Sequence, residues 1–96
     1  MITVKVRTIL AIKKLLGKGE IELSVPEKST LQELVTTLVN NFGDDLASLL
    51  LESETRNVLP HIRLMVNGRD IAFLNGMDTV LQPGDEVLIL PPVSGG

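Results

Sequence analysis

Between Thr30 and Gly43 the sequence carries a helix that something else has to cover. Leu31, Leu34, Val35, Leu38, Val39 and Phe42 recur in the i, i+3, i+4, i+7 pattern that lines one helix face. Thr30 and Glu33 stand just ahead as a Thr-x-x-Glu capping box, in which hydroxyl and carboxylate each satisfy a backbone amide at the helix start. Asn41 and Gly43 supply the stop. Burial contributes about 1.5–3 kcal/mol per large side chain, so this stripe organises the core. Its leucines are read as packing.

The covering surface reads as strand. Ile2, Val4 and Val6 alternate with Thr3, Lys5 and Arg7, and Ile21, Leu23 and Val25 alternate with Glu20, Glu22 and Ser24, the period of half-buried strands. With Gly17-Lys18-Gly19 before the second run, the two are expected to form a hairpin. The connection from Ile9 to Gly19 is too long for a tight turn, and Leu10, Leu15 and Leu16 suggest a short helical turn over the sheet edge. A second short helix is expected from Asp44 to Leu51, with Asp44 or Asp45 as its cap and Leu46, Leu49 and Leu50 facing in. Glu52 to Pro60 reads as loop. Ile62, Leu64 and Val66 then alternate with His61, Arg63 and Met65, and Asn67-Gly68 predicts a type I′ turn returning through a short strand from Arg69 to Ala72. Further turns fall at Asn75-Gly76 and at Pro83-Gly84, the latter suited to type II.

The last strand, Asp85 to Leu90, differs from the others. Val87 and Ile89 are apolar on one parity, Leu88 and Leu90 on the other, as in a strand covered on both faces. A plain antiparallel meander would leave this strand at an edge, so the pattern places it centrally. Its second face is then covered by the short helical pieces or open to a partner.

With 96 residues the chain has room for one domain and one modest core. Nine Lys plus Arg against twelve Asp plus Glu give a net charge of −3, and only two aromatics are present. Such a surface is poorly suited to nucleic acid, which needs excess cations and stacking platforms. Lys5, Arg7, Lys13, Lys14 and Lys18 make the first eighteen residues locally basic, a pattern read as the wet side of a strand. Apolar runs such as Ile9–Ile12 and Val87–Leu90 are far short of the roughly 20 residues that cross a bilayer. Lys5 and Arg7 interrupt any signal-peptide core, so no membrane partner and a cytoplasmic location are expected. Without Cys there is no disulfide, thiolate metal site or cysteine nucleophile.

Little remains for catalysis. His61 is the sole histidine, read as a surface or edge residue, and nothing gathers it with a serine and an acid. Asp44-Asp45 and Asp85-Glu86 lack the spacing of a calcium loop, and Gly17-Lys18-Gly19 lacks that of a phosphate-binding loop. No metal or cofactor is expected on this chain.

The ending, Leu90-Pro91-Pro92-Val93-Ser94-Gly95-Gly96, is more informative. The two prolines cannot donate to a ladder and favour an extended backbone, so they end strand pairing and lead the chain away from the body. Glycines without Cβ can enter a channel too narrow for other residues. The group they would carry is the Gly96 α-carboxylate, unreactive until a partner spends ATP on an acyl-adenylate. The chain would then be a reactant and not an enzyme.

These residues, with Pro83-Gly84-Asp85-Glu86-Val87, Val4-Lys5-Val6-Arg7, the Gly17–Leu23 strand, Ser29-Thr30-Leu31 and Val66-Asn67-Gly68, resemble the ThiS/MoaD-like sulfur carriers. Within that group they are similar to the MoaD family, the small subunit of molybdopterin synthase, and to the ubiquitin-like small archaeal modifier proteins. The resemblance implies an α+β, β-grasp (ubiquitin-like) domain over residues 1–90, a mixed sheet of four to five strands around one main helix, and a flexible tail over 91–96. It further implies that an E1-like enzyme adenylates Gly96, that Gly95 accompanies it, and that the product is a thiocarboxylate donating sulfur to a pterin in the synthase large subunit. In the modifiers the same end is joined to lysines of target proteins. Leu90, where many MoaD proteins have an aromatic, and the 52–60 loop depart from the MoaD pattern. The apolar residues left over from the core, Met65, Leu88, Leu90, Pro91, Pro92 and Val93, with Ser94 in the tail, are the expected partner-binding surface. A non-covalent β-grasp interaction module with incidental glycines is the other reading.

Overall fold

The computed structural model describes residues 1–91. The elements run β1 (Ile2–Thr8), α1 (Leu10–Leu16), β2 (Glu20–Val25), α2 (Leu31–Phe42), α3 (Asp44–Leu50), β3 (Arg63–Val66), β4 (Arg69–Asp70) and β5 (Glu86–Leu90), with single 3₁₀ turns at Ile71–Phe73 and Gly76–Asp78. The strands form one sheet in the order β2-β1-β5-β3-β4. β1 pairs antiparallel with β2 and parallel with β5, so the last strand lies at the centre beside the first. β3 flanks β5 antiparallel on its other side.

The α2 stripe is buried from Leu31 to Val39, with Phe42 half-buried at its end. Both halves of the capping box form: the Glu33 amide donates to Thr30 Oγ1 at 3.3 Å, and the Thr30 amide donates to Glu33 Oε1 at 3.3 Å. The start of α2 is tied to the strand-like Thr79–Leu81 segment, where the Leu31 amide donates to the Thr79 carbonyl and the Leu81 amide to that of Ser29. Leu81 is thereby carried into the core, a placement no short-range pattern announced.

Each turn follows its residues. Asn67 and Gly68 both take positive φ, 52° and 83°, as a type I′ hairpin requires. Gly84 has φ 80° in the turn closed by the Asp85 amide on the Gln82 carbonyl, the type II arrangement.

Three expectations need correction. The strand expected over Arg69–Ala72 stops after Arg69 and Asp70, which pair with Val66 and Met65, because the Asp70 carboxylate accepts from the Ala72 amide at 2.9 Å and bends the chain into a 3₁₀ turn. Neither Asp44 nor Asp45 caps α3: Gly43, which ends α2, also takes the N-cap position, and both acids fall in the first turn. Leu49 was expected to face in, yet Leu46, Ala47 and Leu50 are the buried residues of α3 and Leu49 is exposed. The helical turn expected around Leu10, Leu15 and Leu16 forms as α1, with Ile12 and Leu16 buried, Leu15 packed against the core and Leu10 facing out. Among the described residues no helix is long and apolar enough to cross a membrane.

Candidate functional site

The parallel register of β1 and β5 aligns Thr8 with Ile89, and the antiparallel register of β3 aligns Arg63 with Leu90. The end of β1, the end of β5 and the beginning of β3 therefore meet at one end of the sheet, where Pro91 follows. The Thr8 hydroxyl, buried, donates to the Ile89 carbonyl at 2.8 Å and fixes the last turn of this register.

Around Pro91 the surface has two sides. On the open face of the sheet, Leu88 lies directly across from Met65 and, on its other flank, beside Arg7, while Leu90 lies across from Arg63. Met65, Leu88, Leu90 and Pro91 are each half-buried. Val87 and Ile89, on the other parity of the same strand, are fully buried against the helices. Of the two possibilities for this doubly apolar strand, the short helices do not cover its second face. Charged pairs border it instead: Arg7 reaches Glu86 at 3.2 Å and Glu20 at 3.6 Å, and Arg63 reaches Asp70 at 3.6 Å.

The structure thus gathers Met65, Leu88, Leu90 and Pro91 into one neighbourhood. The remaining residues of that group, Pro92, Val93, Ser94, Gly95 and Gly96, lie outside the described residues.

On the helix side, sequence reasoning missed a cleft of about 370 Å³ between α1 and α3, lined by Leu10, Leu49, Leu59, His61 and Pro91 among others. His61 is exposed, as expected for an edge residue, but it borders an apolar surface. The signal for this cleft was the continuous apolar run Ile9–Ile12, which exceeds what one helical turn can bury on one face. Among the described residues no group of His, Cys, Asp and Glu is arranged to hold a metal ion.

A mixed sheet curled about one long helix, with its first and last strands parallel at the centre and the chain leaving from the last, defines a ubiquitin-like β-grasp protein. The ThiS family matches residues 9–96, and the chain belongs to that family. It is 33% identical over 92 residues to small archaeal modifier protein 3 of Haloferax volcanii, covering 96% of this chain and 97% of that protein. It is 31% identical over 67 residues to the sulfur carrier protein CysO of Mycobacterium tuberculosis, covering 70% of this chain and 72% of that protein. The solution structure of small archaeal modifier protein 1 from Methanosarcina acetivorans superposes with a TM-score of 0.82 at 27% identity, covering 100% of this chain and 98% of that one. This is a family of ubiquitin-like sulfur carriers and protein modifiers.

Proposed function

We propose that this chain is a sulfur carrier of the MoaD type, a reactant activated at the Gly96 carboxylate by an E1-like enzyme. The observation that carries the reading is the exit of β5. A strand held on both sides runs out at Pro91 beside an open apolar face, and the family match continues to residue 96. A tail rooted in a central strand is fixed at its base, so a partner that grips the face receives the carboxylate in a defined direction.

The chemistry follows from the carboxylate. One of its oxygens attacks the α-phosphorus of ATP, pyrophosphate leaves, and an acyl-adenylate forms. A sulfide-level nucleophile then displaces AMP, leaving a thiocarboxylate whose sulfur can be passed to a pterin precursor in the large subunit of molybdopterin synthase. ATP is bound by the activating partner, and this chain supplies the acyl group alone. Met65, Leu88, Leu90, Pro91, Pro92, Val93 and Ser94 form the docking surface in this reading, with Gly95 and Gly96 entering the active site.

The similarity to small archaeal modifier protein 3 over nearly the whole of both chains favours a second reading. There a lysine amine displaces AMP, directly or after transfer, and Gly96 ends in an isopeptide bond. The intact mass of the protein isolated from its host separates the two. Replacement of one oxygen by sulfur marks the carrier, and lysines branched with this chain's end mark the modifier. The branch has to be sought after cleavage at glutamate, which leaves Val87–Gly96, because the last basic residue is Arg69 and trypsin would leave the unwieldy Asp70–Gly96. A host protein carrying neither mark refutes both and favours the non-covalent module.

A further inference from the structure

A protein that acts on Gly96 has to work within reach of the five residues after Pro91, and an extended chain of that length spans at most about 18 Å. Such a partner has to cover the surface around Pro91, which has a sheet side and a helix side. On the sheet side the arginines are already matched, Arg7 by Glu20 and Glu86 and Arg63 by Asp70. The helix side is built differently. Leu10 is 58% exposed and Leu49 36% exposed at the rim of the α1–α3 cleft. Lys13 and Lys14 line the hollow that continues from Leu10, Lys13 lying over Gly19 where it also borders the sheet-side hollow of Arg7, Glu20 and Leu88, and among the described residues neither lysine has a carboxylate within salt-bridge distance. No acid occurs between Ile2 and Gly19 to supply one from the same segment.

The backbone marks the same spot. Leu10 has φ 57°, a region that costs a residue with a Cβ about 1–2 kcal/mol. Strain is thus held at an exposed leucine that lines the same cleft as Pro91.

Resting on the reading that Gly96 is activated, we propose that the α1–α3 cleft is a second docking surface for the E1-like enzyme. The enzyme is inferred to present a large apolar side chain bordered by carboxylates. The apolar group seats between Leu10 and Leu49, and the carboxylates face Lys14, with Lys13 at the border toward the sheet side. The activating enzyme is the partner that carrier and modifier chemistry have in common, and unpaired cations beside an apolar cleft select an acidic rim on it.

The test measures ATP–pyrophosphate exchange by the E1-like enzyme of the same organism against the concentration of the full chain. The variants are Lys14→Glu, Leu49→Ser and the control Lys28→Glu, which makes the same charge change at an exposed turn near Ile2, at the opposite end of the sheet. Lys14→Glu and Leu49→Ser are expected to raise the KM for the chain about tenfold with kcat unchanged, and Lys28→Glu to leave both unchanged. Salt should raise the wild-type KM and have little effect on that of Lys14→Glu. A wild-type chain that is activated while both cleft variants keep its KM overturns the cleft and leaves the Gly96 reading standing. A loss of kcat at unchanged KM also overturns it, because a docking surface acts through binding. A wild-type chain that is not activated overturns the Gly96 reading and this inference with it. Lys14 is exposed, so Lys14→Glu decides the matter even where Leu49→Ser lowers stability.

Discussion

Ile89→Ala and Leu88→Ala remove side chains of similar size from adjacent positions of β5, and the structure predicts very different costs. Ile89 is fully buried between Thr8 on β1 and Leu64 on β3. Trimming it to alanine forfeits about 0.8 kcal/mol for each of three carbon groups and adds a cavity term, for a total of about 3–4 kcal/mol. A domain of this length has about 5–14 kcal/mol in all, and the melting temperature should fall by about 15–20 °C. Leu88 is half-buried on the open face, where it meets Met65 and the Arg7 side, and its truncation should cost about 1 kcal/mol or less. The order reverses for function: Leu88→Ala should weaken partner engagement, whereas Ile89→Ala, assayed where it is still folded, should not. Urea unfolding of the two variants, with unchanged slopes, measures the first comparison, and titration with the E1-like enzyme measures the second. Equal destabilisation by the two variants would refute the assignment of one parity to the core and the other to an open face.

Thr30→Ala removes the hydroxyl that caps α2 and should cost about 1 kcal/mol by thermal melting, in the lower half of the usual range because the bond is long at 3.3 Å. Gly84→Ala forces a Cβ onto φ 80° in the turn that launches β5; the added atom meets nothing within 4 Å, so the loss should be the conformational 1–2 kcal/mol alone, about. Arg7→Ala breaks two ion pairs whose side chains are about half exposed, and should cost under about 1 kcal/mol, an effect that chemical denaturation at high salt should abolish. Deleting Gly95 and Gly96 should leave the melting temperature unchanged and abolish pyrophosphate exchange.

Local chemistry made much of the fold legible. The Thr30–Glu33 box and the Leu31–Phe42 stripe define α2, and both are settled within four or five neighbouring residues. Asn67-Gly68 and Pro83-Gly84 define their turns because few residue types tolerate positive φ there. Even the central position of β5 was readable, since apolar residues on both parities are hard to reconcile with an edge. The failures have a common origin. Gly43 displaced the aspartates as cap because one residue had to end α2 and begin α3 together, and Asp70 ended β4 because its carboxylate found the Ala72 amide.

By itself, then, the sequence determined the main helix, the principal strands and the central place of β5, which rest on short-range periodicity, and through its likeness to sulfur carriers and modifiers it implied the β-grasp order that the structure shows. Tertiary structure alone decided that the short helices leave the Leu88 face of β5 uncovered, that Leu81 joins the core, and that Leu10, Leu49 and His61 meet Pro91. These last residues come from four separate parts of the chain. The parallel register of β1 with β5, closed by long-range hydrogen bonds such as Thr8 to Ile89, brings Leu10 to Pro91; the antiparallel pairing of β3 with β5 brings His61, and the packing of α3 against α1 and α2 brings Leu49.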